Sequence, residues 1–258
     1  MHILIASGIF HPEPGGPSTY LLHLLPELQA RGHQVEVVAF SDNAPAKDYG
    51  YPVTRIRRTR FLQRQWRYYQ AIQERIHNAD LLFVNSLGLP LPRIGPPRLL
   101  KIVGDLAWER AVNRGWLPPT TDIDTFQRQR YGPHVQWLQQ ARAREAQRAN
   151  RIIVPSQYLS SMVQGWGVAP EKIEVIYNAY SAPPSGPSVP DRLALGVPED
   201  ALLLLAVARL VPWKGIDAVM QALLAVKNGY LWIAGDGPDL AHLRALAIQF
   251  NLGERVRF

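Results

Sequence analysis

With 258 residues, 47% of them hydrophobic and 19% charged, the chain has the make-up of a globular protein, long enough for one large domain or two of ordinary size. It holds no cysteine, which excludes a disulfide framework, a thiolate nucleophile and a zinc ribbon, and no run approaches the ~18 apolar residues of a membrane-spanning helix. A formal net charge of +7 favours anionic partners without choosing among nucleoside diphosphates, acidic lipid surfaces and nucleic acid.

The N-terminus lacks the basic start and longer apolar stretch of a signal peptide, so a cytoplasmic protein is expected. A strand over 2–7 is followed by the loop FHPEPGG and a leucine-striped helix over 18–31, with Arg31-Gly32-His33 as its C-cap. QVEVVAF is the next strand, which makes the opening a βαβ unit. The rhythm continues through LLFVNS at 81–86, LLKIVGD at 99–105, RIIVPS at 151–156 and KIEVIYN at 172–178. A mostly parallel sheet with both faces covered is predicted.

The cluster APPSGPSVP sustains neither a helix nor a central strand, and residues 183–190 read as a linker between domains 1–182 and 191–258. After it come strand ALLLLAVA, loop RLVPWKG, helix 215–227, strand YLWIAG, loop DGPD, helix 239–250 and the start of a strand at RVRF. The second α/β domain is short of the ~100–150 residues typical of a domain. It stops within a strand at Phe258, so further sequence downstream is expected.

Two α/β domains joined by a short linker predict a ligand held in the cleft between them, met by loops at strand C-termini. In the first domain, Gly15 and Gly16 precede a helix and leave backbone amides bare at the positive end of its dipole, where a phosphate can sit; a tight turn needs the same residues. In the second, Arg209 and Lys214 share one loop after an uncharged strand and suit a diphosphate, Arg by its fork and Lys as a point charge. A solvated basic turn is the bland alternative. Gly235 and Gly237 bracket Asp236 one strand later, as a donor-domain loop or a plain β-turn would.

The basic stretch RIRRTRFLQRQWRYYQAIQERI carries Leu62, Trp66, Tyr69, Gln73 and Ile76 at helical spacing, with arginines off that stripe. It reads as the core face of a helix over the sheet in preference to a face for an anionic membrane. Asp122-x-Asp124 in TTDIDTF reads as a helix start, with Thr121 and Asp122 at cap positions, in preference to a metal site. The seven histidines show no metal-ligand spacing, no serine-hydrolase elbow or dinucleotide turn is present, and nucleic-acid motifs are absent.

FHPEPGG, ARLVPWKGID, IAGDGPDLAHLRALA and LGERVRF together resemble glycosyltransferase family 4, retaining enzymes of the two-domain GT-B fold. The resemblance runs the whole chain in order. It implies an α/β protein of two Rossmann-like domains with parallel sheets, the second incomplete in this chain. It also implies a sugar moved from a nucleotide-diphosphate donor to a glycan or lipid-linked acceptor, without cofactor or bound metal, at the cytoplasmic side and with peripheral contact at the inner face of the membrane. Gly15, Gly16, Arg209 and Lys214 would then hold the donor diphosphate, with Arg209 and Lys214 also stabilising charge on the departing phosphate.

Asp105 falls near where the family presents a His or Asp to the transferred sugar, which implies a catalytic contact; capping the following helix is the other reading. The family's pair of glutamates separated by seven residues is missing from the 258, so weak nucleotide binding with little turnover is expected. A non-catalytic sugar-nucleotide or anion-binding protein, or a GT-B epimerase or phosphorylase, is the alternative. Nothing in these residues encodes the donor base, the sugar, the acceptor or the oligomeric state.

Overall fold

The computed structural model describes residues 1–42, 48–118, 121–179, 192 and 196–258. The chain divides into two units, Met1–Trp116 with Ile123–Ala179 and Leu117–Asp122 with Tyr180–Phe258. The expected linker, 183–190, lies outside the described residues.

The first unit runs β1 (His2–Ser7), α1 (Gly16–Ala30), β2 (Gln34–Phe40), β3 (Val53–Ile56), α2 (Phe61–Arg75), β4 (Leu81–Val84) and β5 (Arg98–Lys101). It continues with α3 (Leu106–Asn113), α4 (Ile123–Arg128), α5 (Pro133–Arg148), β6 (Arg151–Val154), α6 (Gln157–Gln164) and β7 (Ile173–Val175). Its seven strands pair in the order β3-β2-β1-β4-β5-β6-β7, every neighbour parallel. The second unit holds β8 (Leu202–Val207), α7 (Ile216–Leu223), β9 (Gly229–Ala234), α8 (Leu240–Gln249) and β10 (Val256–Arg257), paired in parallel as β10-β9-β8. The predicted α/β class with parallel sheets is observed in both.

The continuous apolar run of β1 has a simple cause. Ile3 and Ile5 enter one core with Leu21 and Leu25 of α1, while Leu4 and Ala6 enter another with Tyr68 and Ile72 of α2. Alternate side chains leave opposite faces of a strand, so a sheet covered on both faces demands apolar residues at every position. The second unit departs from this. Leu204, Ala206, Leu231 and Ile233 pack with α7 and α8, but Leu205 and Val207 on the other face of β8 are exposed. At the end of α1, Gly32 adopts φ 81° and its N–H donates to Gln29 O at 2.8 Å, as the expected C-cap requires.

Helix α2 forms, and only part of the expected stripe is buried: Ile76 faces inward with Tyr68, Ala71 and Ile72, Tyr69 and Gln73 are half-buried, and Leu62 and Trp66 point to solvent. Two apolar stripes run along this helix, and only one can meet the sheet. Tyr68 decides which: its ring lies 4.5 Å from Phe40, and its hydroxyl donates to the carbonyls of Ser7 (3.1 Å), which ends β1, and Val38 (3.0 Å), within β2. Strand β3 was not anticipated either, since VTRI is short and only half-buried throughout.

Removing the hydroxyl in Tyr68→Phe leaves the core packed and deprives two buried carbonyls of a donor. The expected cost is ~1–3 kcal/mol, read as a lower urea midpoint at unchanged slope. An unchanged midpoint would show that the hydroxyl does not hold α2 to β1 and β2.

Candidate functional site

In the first unit the chain steps outward from β1 through β2 to β3, then returns to the other side of β1 with β4. This reversal is where loops at strand C-termini part and leave room for a ligand. Gly15 and Gly16 lie on the loop after β1, both exposed, and no side chain caps the start of α1. Gly15 has φ 148°, a conformation that other residues adopt only under strain, and a Cβ there would lie 2.7 Å from Ile9 Cδ1, the movable end of a side chain; nothing lies within 4 Å of a Cβ at Gly16.

Beside this loop is a hollow of ≈ 160 Å³ lined by Pro17, Asn85, Ser86, Lys101, Gly104 and Glu109, among others. Asn85 Nδ2 donates to Pro17 O at 3.1 Å, and Ser86 Oγ accepts from Gly8 N at 3.1 Å, so the loop after β4 is tied to the loop after β1. Lys101 ends β5 and is only 4% exposed. Its Nζ sits 3.6 Å from the Tyr20 ring centroid and donates at 3.4 Å to Asn178 Oδ1. Burial pushes its pKa down. Sequence reading passed over Lys101; its one signal is a lone cation inside the apolar run LLKIV.

Asp105 does not stand at the open end of this site. Its side chain is fully buried. One oxygen accepts from the N–H groups of Ala107 (2.9 Å) and Trp108 (3.2 Å), capping α3, and the other accepts from Gln127 Nε2 (2.8 Å) and pairs with Arg142. Arg142 in turn lies 4.3 Å from the Trp166 ring and 5.4 Å from that of Phe126, donates to Gln127 Oε1 at 2.9 Å, and has its pKa pushed down to about 9 by desolvation. The expectation of a contact with sugar or acceptor is therefore corrected: the carboxylate is engaged on both oxygens in joining α3, α4 and α5. Of the two readings, the helix cap is the one that is formed.

In the second unit, Arg209 and Lys214 lie on the loop that leaves the C-terminal end of β8 and leads to α7. Both are exposed, and among the described residues neither side chain has a hydrogen-bond or ion-pair partner. Gly215 turns the chain into α7 at φ 65°, with no side chain capping that helix either. The loop after β9 lies directly against this one. Leu210 N donates to Asp236 O at 2.9 Å and Asp239 N to Leu210 O at 3.1 Å. A Cβ on Gly235 would fall 1.9 Å from Ala208 O, and one on Gly237 2.1 Å from Leu210 O. The two glycines are thus required by backbone meeting backbone, and the Asp236 side chain closes its own turn by accepting from Gly237 N at 2.7 Å.

Asp122 and Asp124 sit just before and within α4, and Asp124 accepts from Tyr158 Oη at 2.6 Å. Among the described residues no three His, Asp or Glu side chains gather as metal ligands would.

A family model described as Glycosyltransferase Family 4 matches residues 14–182, and one described as Glycosyl transferases group 1 matches residues 190–258. The lipopolysaccharide core biosynthesis glycosyltransferase LpsD of Rhizobium meliloti (strain 1021) is 36% identical over 106 residues, 41% of this chain and 29% of that protein. LpsE of the same organism is 35% identical over 68 residues, 26% of this chain and 20% of that protein. The alignments thus span less than a third of the length of these curated relatives. Among solved structures, Anabaena Alr3699/HepE in complex with UDP-glucose matches with a TM-score of 0.69 at 21% identity, over 100% of this chain and 68% of that one. Sucrose-phosphate synthase (tll1590) from Thermosynechococcus elongatus matches with a TM-score of 0.74 at 18% identity, over 100% and 69%. At such identities the likeness is one of fold.

Two stability effects follow from this geometry. Gly235→Ala and Gly237→Ala must part the two loops of the second unit and are expected to cost ~1–3 kcal/mol or more, while Gly16→Ala, with open space around it, should leave the melting temperature nearly unchanged; equal effects at the three positions would disprove the close approach. Asp105→Ala strands Arg142 in buried surroundings and is expected to cost ~3–5 kcal/mol, measured by urea unfolding.

Proposed function

The chain belongs to glycosyltransferase family 4, with the GT-B fold of its structural neighbours, and from that premise we propose that it moves a sugar from a nucleotide-diphosphate donor to a glycan or lipid-linked acceptor, with retention of anomeric configuration. The observation that carries this reading is the loop after β8, where Arg209 and Lys214 stand exposed, without a partner among the described residues, beside the uncapped start of α7. Cleaving a sugar from a diphosphate loads negative charge onto the leaving oxygen. A guanidinium fork and an ammonium held at a helix start oppose that charge more strongly in the transition state than in the ground state, which is the requirement for catalysis.

Gly15 and Gly16 are proposed to offer backbone N–H groups to a phosphate oxygen of the donor. Gly235, Asp236 and Gly237 are proposed to act by holding the Arg209 loop in place. No metal ion enters this scheme, because the cations of the chain itself neutralise the leaving group. UDP-glucose in the HepE structure and the lipopolysaccharide core named for LpsD support a nucleotide sugar as donor and a glycan or glycolipid as acceptor. A lipid-linked acceptor would bring the protein to the inner face of a membrane, and no helix among the described residues is long and apolar enough to cross one.

No pair of glutamates separated by seven residues occurs in the sequence, so donor binding is expected to be measurable where turnover is slow or nil. Calorimetric titration with UDP-glucose and ADP-glucose tests the assignment. Each of Arg209→Ala and Lys214→Ala should weaken binding by about tenfold or more, as the loss of a charge-assisted hydrogen bond would. Unchanged affinity in both variants refutes the diphosphate site. Saturable binding in a chain that, with paired glutamates supplied in trans or in a longer form, still makes no product would favour a binding protein.

A further inference from the structure

Lys101 is a cation that the donor scheme leaves unused. It ends β5, which lies inside the sheet between β4 and β6, and almost none of its surface reaches solvent. A buried ammonium is ordinarily offset by a carboxylate. Here desolvation lowers the pKa with nothing opposing it, and among the described residues no carboxylate pairs with Nζ. What it does meet is the face of Tyr20 and, through a long hydrogen bond, the neutral amide of the exposed Asn178. Neither replaces the hydration that burial removes. The same residue lines the ≈ 160 Å³ hollow beside the glycine loop, which has room for one sugar ring. Pro17 on the wall of that hollow and Tyr20 against the ammonium are three residues apart on α1 and share its face, which keeps Nζ next to the wall.

We propose that this hollow is a subsite for an acidic sugar of the acceptor, whose carboxylate or phosphate ester accepts from Lys101 Nζ while its ring hydroxyls donate to Asn85 and Glu109. Asn85 gives its amide N–H to Pro17 O, which leaves its side-chain oxygen to accept. Glu109 brings a half-buried carboxylate to the same lining. The lining therefore asks for mixed chemistry, one acid for the ammonium and hydroxyl donors for the two acceptors, and a sugar acid carries both. A bare diphosphate would meet Glu109 as a like charge and offer it no hydrogen. Binding supplies the counter-charge that Lys101 lacks. Because the ammonium is shielded from water, it separates an acid from a neutral sugar more strongly than a surface lysine would, since the neutral sugar leaves it unpaired.

The inference deepens the reading of a glycan acceptor and rests on it for why a sugar is at hand. Titration of the chain with glucuronic acid, glucose 6-phosphate and glucose, followed by ligand-observed NMR, tests it and separates a carboxylate from a phosphate as the source of the charge. At least one of the two acids should bind about tenfold or more tighter than glucose. Lys101→Met should abolish that preference and leave UDP-glucose affinity as it was. The methionine keeps an apolar contact with Tyr20 and removes an uncompensated buried charge, so its melting temperature should equal or exceed the parent's. Glu109→Gln leaves Lys101 in place, takes away a like charge and should widen the preference for the acid. No preference for either acid, a preference that survives Lys101→Met, a weaker preference in Glu109→Gln, or UDP-glucose affinity lost with Lys101 would each overturn the proposal. Arg209→Ala leaves the hollow untouched, so a failure of the donor site shows in the nucleotide titration alone and a failure of this subsite in the sugar titrations alone.

Discussion

A sheet whose strands all run one way gathers every strand's C-terminal end at a single edge, and both units of this chain are built under that constraint. Each strand must be followed by a connection that returns outside the sheet, so helices fall on its faces and loops collect at its edge. The loops after β1, β4 and β5 in the first unit, and after β8 and β9 in the second, are neighbours for that reason alone. At that edge stand the exposed Gly15 and Gly16 and the buried Lys101, the last residue of β5, in one unit, and the exposed Arg209 and Lys214 in the other.

Holding such loops still takes polar contacts that contribute nothing directly to a ligand. Asp105 is the clearest case. An aspartate at a strand end in a glycosyltransferase invites a catalytic reading, yet this one satisfies two helix amides, a glutamine and a buried arginine at once. Burying Arg142 without it would leave a charge far from water. The pair Gly235 and Gly237 plays a comparable part through what it lacks, letting one loop's backbone rest on the carbonyls of Ala208 and Leu210.

The charge of +7 is also clearer in three dimensions than in a count. Arg55, Arg58, Arg75 and Arg142 are spent inside the first unit on carbonyls, carboxylates and rings. Other cations stay exposed across both units, Arg93, Arg128, Arg144 and Lys227 among them; Arg57, Arg60 and Arg67 lie at and before the start of α2, and Arg209 and Lys214 share one loop.

The sequence by itself determined the α/β class, the order of most strands, the cap of α1, the start of α4 and the loops that carry Gly15, Gly16, Arg209, Lys214 and Gly235 to Gly237. These are local matters of periodicity, capping and turn chemistry, which a linear pattern records. Only the tertiary structure decided that Tyr68 and Ile72, in place of Leu62 and Trp66, face the sheet, that Lys101 is buried beside Tyr20, and that Asp105 is closed off by Arg142 from 37 residues away. Both stripes of α2 are largely apolar at helical spacing, so periodicity cannot rank them; the choice rests on carbonyls of β1 and β2 that a tyrosine hydroxyl can reach only after the strands have paired.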